Sequence, residues 1–272
     1  MPKKPNVIKG KPLKPNVSIE KKFKEKLKAL TQAMIKQTEK DILKLFEKES
    51  PEYMITGDAS ISSQARILLS TLTEKFDKIF TLESKKLSDW MITQVDNHSK
   101  ATIKNSLESL SEQVTINTQT LSEETKNILK ASTEMSASYI KSIQTDYLDK
   151  VSNATYRSIT SSKGLQSLVP EIQKIGGQTE RKAELIALDQ TRKVSADLDS
   201  ARMKQNNITK FEWVHSGGGA HPRETHQAMN GKIYDLDKGA YDSSVGYNVL
   251  PCELPNCKCF KVPVIELGEE TP

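Results

Sequence analysis

The sequence predicts an α+β protein, in which a long N-terminal helical region, either a stem or a bundle, precedes a small C-terminal α+β domain. Residues 60–163 contain neither proline nor glycine, and their apolar residues recur at spacings of three and four, which is typical of amphipathic helices. Glycine, histidine and cysteine become frequent after residue 164, where short strands and turns are expected. Hydrophobic residues make up only 36% of the chain, which argues against a single compact α/β enzyme.

The N-terminal arm, residues 1–18, is predicted to be extended or disordered, because its four prolines fix φ and remove backbone donors. Residues 1–50 hold 14 lysines against 6 acidic residues, whereas the whole chain carries a net charge of only +5. A basic arm without aromatic residues can contact nucleic-acid phosphate or an acidic partner, but it cannot read bases. Alternatively, the basic arm is a flexible tail without a partner. The candidate contact lysines are Lys3, Lys4, Lys9, Lys11 and Lys14.

The helical region is predicted to cover residues 19–163. Phe23, Leu27 and Met34 lie on one helical face, and lysines cover the opposite face. Residues 60–163 are expected to form two or three further long helices. Their apolar stripe is narrow and interrupted by Ser, Thr and Asn, so we expect one buried seam, formed with each other or with another chain.

The C-terminal domain is predicted to cover residues 164–272. A helix is expected at 180–204 and a short helix at 223–229, ended by Gly231 in the left-handed region. The alternating segments TKFEWV and KIYDL predict strands, and FKVPVIEL predicts an edge strand because Pro263 cannot donate to a ladder.

No segment of the sequence predicts a membrane contact or export. No apolar run approaches the roughly 20 residues that a membrane helix needs, and the N-terminus lacks the apolar stretch of a signal peptide. The three cysteines fall within eight positions, an odd number that does not suit a disulfide framework, so a reducing compartment is expected.

Histidines and cysteines near the C-terminus form a candidate structural zinc site. Zinc prefers thiolate and imidazole ligands in a tetrahedron. Cys257 and Cys259 are two residues apart, so both can bind one ion only if the chain turns between them. The alternative interpretation is that the thiols pack in the interior and the histidines cap loops. The candidate ligands are Cys252, Cys257 and Cys259 with His226 or His221.

The spacing of the histidines supports a catalytic zinc less than it supports a structural zinc at this site. His221 and His226 are five residues apart with no glutamate in the general-base position, unlike the H-E-x-x-H arrangement of zinc proteases. A Cys–His nucleophile pair stays open from the sequence alone, because such pairs become neighbours only in the folded chain.

Three motifs in a fixed order carry a family resemblance. They are W-x-H at Trp213, R-x-x-H-x-x-x-x-G from Arg223 to Gly231, and the stretch PCELPNCKC at 251–259, all after the helix that contains ELIALDQTRKV. Over about residues 165–266 the chain resembles the C-terminal domain of phage Mu F-like minor head proteins, also called phage head morphogenesis proteins. The signature positions are Trp213, Arg223, His226, Gly231, Pro255, Cys257 and Cys259.

The resemblance implies a minor capsid protein of a tailed bacteriophage or prophage, assembled in the bacterial cytoplasm and located in the virion, inside the head near the portal. It implies roles in head morphogenesis and in DNA packaging or delivery, with the portal protein, other head proteins and packaged DNA as partners. The family brings no established reaction, so no catalytic residue is assigned and we expect no enzyme. One departure is the run LDQT at 188–191, where many members have Ala-Arg-Thr, which displaces Arg192.

A prophage-encoded effector enzyme is the alternative. Some toxins join a Mu F-like domain to a toxic domain, and Gln178-Thr-Glu180 matches the Gln-x-Glu of ADP-ribosyltransferases. A tripeptide of this kind is a weak signal, and no accompanying Ser-Thr-Ser strand is present in the sequence.

Overall fold

The computed structural model describes residues 7–47, 60–109, 122–160, 164–217 and 222–266. It confirms the α+β class, with long helices followed by small antiparallel sheets. The helices are α1 (Val17–Glu47), α2 (Ile61–Glu108), α3 (Glu123–Thr160), α4 (Gly164–Gln205) and α5 (Glu224–Met229). The strands are β1 (Val7–Lys9), β2 (Lys210–Val214), β3 (Ile233–Asp235), β4 (Ala240–Asp242), β5 (Tyr247–Val249) and β6 (Phe260–Glu266).

The chain divides into two compact units, whose edges do not coincide with the predicted boundaries at 18/19 and 163/164. The sheets belong to the first unit, which combines parts of α1, α2, α3 and α4 with everything after Leu188. The second unit is helical. The first comprises Met1–Glu20, Trp90–Ser132 and Leu188–Pro272, and the second comprises Lys21–Asp89 and Thr133–Ala187.

The helical unit buries the apolar faces that the spacing predicts. Phe23, Leu27 and Met34 are fully buried on α1. On α3 the buried face does not include every large apolar residue, because Met135 and Tyr139 are exposed while Ser136, next to Met135, is buried. Small side chains such as serine let neighbouring helices approach closely, so the buried seam here does not follow the largest residues.

The four-stranded sheet of the first unit runs in the order β1-β6-β2-β3, with every pair antiparallel. The predicted strands TKFEWV and KIYDL are confirmed as β2 and β3. β4 and β5 form a separate hairpin. The core of this unit contains Phe211 and Trp213 of β2 together with Ile103 and Leu107 of α2.

Of the two forms predicted for the N-terminal arm, the extended one is present where residues 7–9 form β1, whereas Val17 and Ser18 already belong to α1. Residues 1–6 lie outside the described part of the chain. β1 pairs with β6, with Ile8 opposite Ile265. Leu13 is buried and its N–H donates to the Lys261 carbonyl at 2.8 Å. Asn16 then caps α1 by accepting a hydrogen bond from the Ser18 N–H at 2.9 Å. Burial of Leu13 and the added ladder outweigh the lack of donors at the prolines.

The prediction that FKVPVIEL forms an edge strand is also wrong, because β6 lies between β1 and β2. The carbonyl of Pro263 accepts a hydrogen bond from the Gly10 N–H at 2.9 Å, so the main chain of Pro263 faces β1. β1 ends at Lys9. The missing donor of Pro263 therefore lies just beyond the end of the β1 ladder, where it costs little.

Two glycines of the β4–β5 hairpin allow a test of how closely the backbone of Val249 approaches Gly239. Gly239 and Gly246 both have positive φ, of +70° and +81°. A Cβ on Gly239 would lie 2.7 Å from the Val249 carbonyl oxygen, whereas a Cβ on Gly246 would meet no atom within 4 Å. We expect Gly246→Ala to lower the free energy of unfolding by about 1–2 kcal/mol, and Gly239→Ala to lower it clearly further. Urea denaturation measures both, and equal losses would contradict the close approach.

Candidate metal centre

Helix α5 carries His226 into the interior of the first unit. The helix follows β2 in the sequence, and its residues His226 and Met229 are buried. Gly231 has φ of +76°, as its predicted place after the helix requires, and its N–H donates to the Trp213 carbonyl at 2.8 Å. This bond ties the end of α5 to β2 and positions His226 beside Trp213.

The loop before β6 turns sharply and carries the three cysteines. Cys252 and Asn256 both have positive φ, of 69° and 60°, and the Cys257 N–H donates to the Leu254 carbonyl at 3.1 Å. With this turn, the Cys257 and Cys259 side chains reach the same place although the two residues are only two apart, as binding of one metal ion by both requires.

His226, Cys257 and Cys259 converge as one group that could hold a metal ion. The His226 Nδ1 lies 3.5 Å from the Cys257 Sγ and 3.7 Å from the Cys259 Sγ. All three potential ligand atoms lie within 4.8 Å of one another, and all three residues are buried. Two sulfurs and one imidazole nitrogen are a ligand set that suits zinc.

Asp242 determines which nitrogen of His226 is available. The His226 Nε2 lies 3.0 Å from the Asp242 Oδ2. Burial opposes ionisation of Asp242, but the side-chain and backbone hydrogen bonds from Ser244, with that from His226, outweigh burial and lower the Asp242 pKa. A carboxylate can only accept, so Nε2 carries a proton and Nδ1 is the ring nitrogen that faces the sulfurs. This carboxylate–histidine arrangement is what orients imidazole ligands in metal sites.

A hydrogen bond between the Cys257 and Cys259 side chains shifts the pKa values of the two thiols in opposite directions. A hydrogen bond from the Cys259 thiol holds the pKa of Cys257 below its usual value against the effect of burial, and His226 adds to the lowering. The same hydrogen bond and burial raise the pKa of Cys259. Burial lowers the pKa of His226, but its bonds to Cys257 and Asp242 outweigh burial and raise it. Cys257 is therefore a ready thiolate, the form that binds metals.

Trp213 closes one side of the group. Its ring meets the His226 ring edge-on, with centroids 5.1 Å apart. Its fully buried indole N–H has no oxygen or nitrogen partner among the described residues, and it acts on the Cys259 sulfur, whose pKa it lowers against the larger effects of Cys257 and burial. An N–H directed at a sulfur supports a thiolate there.

Cys252 does not join the group, so the predicted ligand set is corrected from four residues to three. Its Sγ donates to the Cys259 carbonyl at 2.9 Å, and its N–H donates to the Cys257 Sγ at 3.4 Å. Burial raises the pKa of Cys252, which disfavours the thiolate that a ligand requires. Cys252 thus stabilises the loop that presents the other two cysteines. His221 lies outside the described residues.

The remaining signature residues frame the same site. The Arg223 Nη2 donates to the Pro255 carbonyl at 3.0 Å, which joins the start of α5 to the cysteine loop. A cavity of about 50 Å³ lies against the group. It is lined by His215, Ser216, Pro222, Arg223, His226, Asn256, Cys257, Lys258 and Cys259.

The lysines of the N-terminal arm are only partly available for a partner. Lys9 forms an ion pair with Glu212, and the Lys14 Nζ lies 5.3 Å from the centre of the Phe260 ring. Lys11 is exposed. Lys3 and Lys4 lie outside the described residues.

Gln178 and Glu180, the residues behind the alternative effector interpretation, lie within α4 and not at a helix start. The Glu180 Oε1 accepts a hydrogen bond from the Gln32 Nε2 at 3.2 Å, and its Oε2 lies 3.4 Å from the Lys28 Nζ. These contacts give Glu180 a structural role within the helical unit.

Sequence reasoning missed Asp242. The residue stands in the stretch GAYDSS, whose composition indicates an ordinary turn. Nothing in its spacing from His226 signals a contact, because the pairing depends on how the β4–β5 hairpin folds back over α5.

The fold and the site together define a protein of long helices and small antiparallel sheets with a buried His–Cys–Cys group. Residues 149–262 match the family model described as Phage Mu protein F like protein. This match confirms the resemblance found in the sequence and covers every signature position.

One curated relative aligns over nearly the whole chain. It is an uncharacterized protein of Haemophilus influenzae, 26% identical over 268 residues, which are 96% of this chain. The chain spans only 57% of the length of that relative. No solved structure matches the chain. Among the described residues, no helix combines the length and the hydropathy that crossing a membrane requires.

Proposed function

We propose that this chain is a minor head protein of a tailed phage or prophage, that it lies inside the head in association with the portal, and that it acts in head morphogenesis and in DNA packaging or delivery. The observation that carries the proposal is the family match over residues 149–262, which includes the complete group of signature residues. In this proposal the role is structural, and no residue is assigned to catalysis.

Co-sedimentation of the full-length protein with the purified portal ring of the same phage tests the portal association. The full chain is needed because the sheet unit takes residues from three separate segments. We expect the protein to sediment with the ring and to stay in the supernatant without it. Failure to sediment with the ring at both low and moderate salt would overturn the portal association.

The basic arm is proposed to bind packaged DNA through its phosphates. Lys3, Lys4 and Lys11 are the best candidates, since Lys9 and Lys14 already contact Glu212 and Phe260. Changing the three to glutamine is expected to reduce the slope of log K against log salt by about 0.9 for each phosphate that is no longer neutralised. Fluorescence anisotropy with duplex DNA measures the slope, and an equal slope for both proteins would contradict the proposed binding. Arg181→Gln, an exposed charge change elsewhere, is the control.

The His226, Cys257 and Cys259 group is proposed to hold a zinc ion with a structural role. The proposal is supported by the convergence of the three donors and by the Asp242 contact to Nε2, which leaves the His226 Nδ1 facing the two sulfurs. A zinc ion there would link α5 to the cysteine loop, which reach the site from distant parts of the sequence. Metal analysis of folded protein purified without chelators tests it, and folded protein without equimolar zinc would contradict it.

A further inference from the structure

The metal group borders a cavity, and all three donor residues line it. His226, Cys257 and Cys259 are among its lining residues, and its volume of about 50 Å³ has room for a few water molecules or one small polar group. The other imidazole nitrogen, Nε2, contacts Asp242, which is not among the residues that line the cavity. An ion held by the three donors would therefore present its remaining coordination position to the cavity.

No described residue completes the tetrahedron. The group of potential ligands among the described residues has three members. Cys252, the nearest further cysteine in sequence, uses its thiol to donate to the Cys259 carbonyl. His215 also lines the cavity, and its Nδ1 accepts a hydrogen bond from the Gly217 N–H at 3.2 Å, but neither of its ring nitrogens belongs to the group of converging ligand atoms. Three protein ligands with one open position are the pattern of zinc sites that accept an external ligand.

The charges around the cavity favour an anionic ligand. A Zn²⁺ ion with two thiolates and a neutral imidazole has no net charge, so an added monoanion needs nearby cations. Arg223 and Lys258 both line the cavity. Arg223 uses Nη2 for the Pro255 carbonyl, and a planar guanidinium is well suited to bind a carboxylate.

We propose that the open position of this site binds a carboxylate, with one oxygen on the metal and with Arg223 close enough to contact the other. This inference rests on the metal site proposed above. The cavity admits one carboxyl group and little more, so the ligand is a small organic acid or an acidic side chain of a neighbouring protein molecule.

Cobalt(II)-substituted protein tests the proposal, because the visible bands of cobalt report its ligands and coordination number. Titration with acetate is expected to shift these bands with saturation, and Arg223→Gln is expected to weaken acetate binding about tenfold. Arg181→Gln should leave the titration unchanged, and Cys252→Ser should leave the acetate-free spectrum unchanged. A band shift that depends on protein concentration without acetate would identify a second copy as the source of the carboxylate.

Other outcomes separate the two proposals. Protein that binds no cobalt would overturn the metal site and the open position together. A cobalt spectrum that responds neither to acetate nor to protein concentration would leave the metal site in place and overturn the open position. If the unchanged protein does not respond to acetate but His221→Ala or Cys252→Ser does, the changed side chain is the fourth ligand. That result would also overturn the open position.

Discussion

Changing Cys257 to serine is expected to abolish the proposed zinc binding and to produce the largest loss of stability at the candidate metal centre. Cys257 is the thiolate-prone member of the group and lies 3.5 Å from the His226 Nδ1. An ion that binds only the folded state stabilises it by about 4 kcal/mol when free zinc is 1,000 times Kd. Thermal unfolding with and without a chelator, together with metal analysis, measures the loss.

Cys252→Ser is the matched control for this experiment. Both cysteines are buried in the same loop, but Cys252 donates its thiol to the Cys259 carbonyl, and a serine hydroxyl can replace that bond. We expect the variant to keep equimolar zinc and its sensitivity to the chelator. Loss of zinc from Cys252→Ser, with retention in Cys257→Ser, would reverse the corrected ligand assignment.

Changing Arg202 to alanine is expected to lower the free energy of unfolding by about 3–5 kcal/mol, the cost of breaking a buried ion pair from one side. Arg202 is buried on α4 and forms an ion pair with Asp96 of α2. Its Nη1 also donates to the Ser99 Oγ at 2.7 Å, and that hydroxyl donates to the Asp199 Oδ1 at 2.5 Å. Burial raises the pKa of Asp199 against the opposing effects of Ser99, Lys261 and Arg202. Asp96 keeps its ion pair with Lys100, so the variant removes the buried cation that Asp96 and Asp199 share but not every cation near them.

Arg181→Ala on the same helix is the control, because Arg181 is exposed. Its effect is expected within about 0.5 kcal/mol of zero. Urea denaturation of both variants gives the comparison. Similar small losses in both would show that the Arg202 network contributes little, and that packing alone holds this part of α2 and α4.

Helix α5 and the strands β2 and β3 illustrate what local sequence can predict. The alternation in TKFEWV and the glycine after THQAMN depend on neighbours within a few residues, and the structure has the strands and the left-handed Gly231 where these patterns indicate. The signature order around Trp213, Arg223 and the cysteine loop likewise allowed the family resemblance to be recognised before any contact was known.

The sequence-based predictions failed where the local structure depends on contacts with a distant part of the chain. β1 could not be predicted, because Val7–Lys9 becomes a strand only by pairing with β6. Pro263 indicated an edge, yet the position of its missing donor beyond the end of β1 permits a central strand. On α3, Ser136 is buried whereas Met135 is exposed. Helical spacing alone does not predict which of these two neighbours faces the interior.

The sequence by itself determined the α+β class, the long helices, the strands flanking α5 and the residue types of a thiolate–imidazole site, because periodicity, turn chemistry and composition are local properties. Only the tertiary structure decided that β1 enters the sheet, that Cys252 stays outside the metal group and that Asp242 orients His226. Those outcomes depend on hydrogen bonds between residues far apart in sequence, and such bonds exist only after the chain has folded.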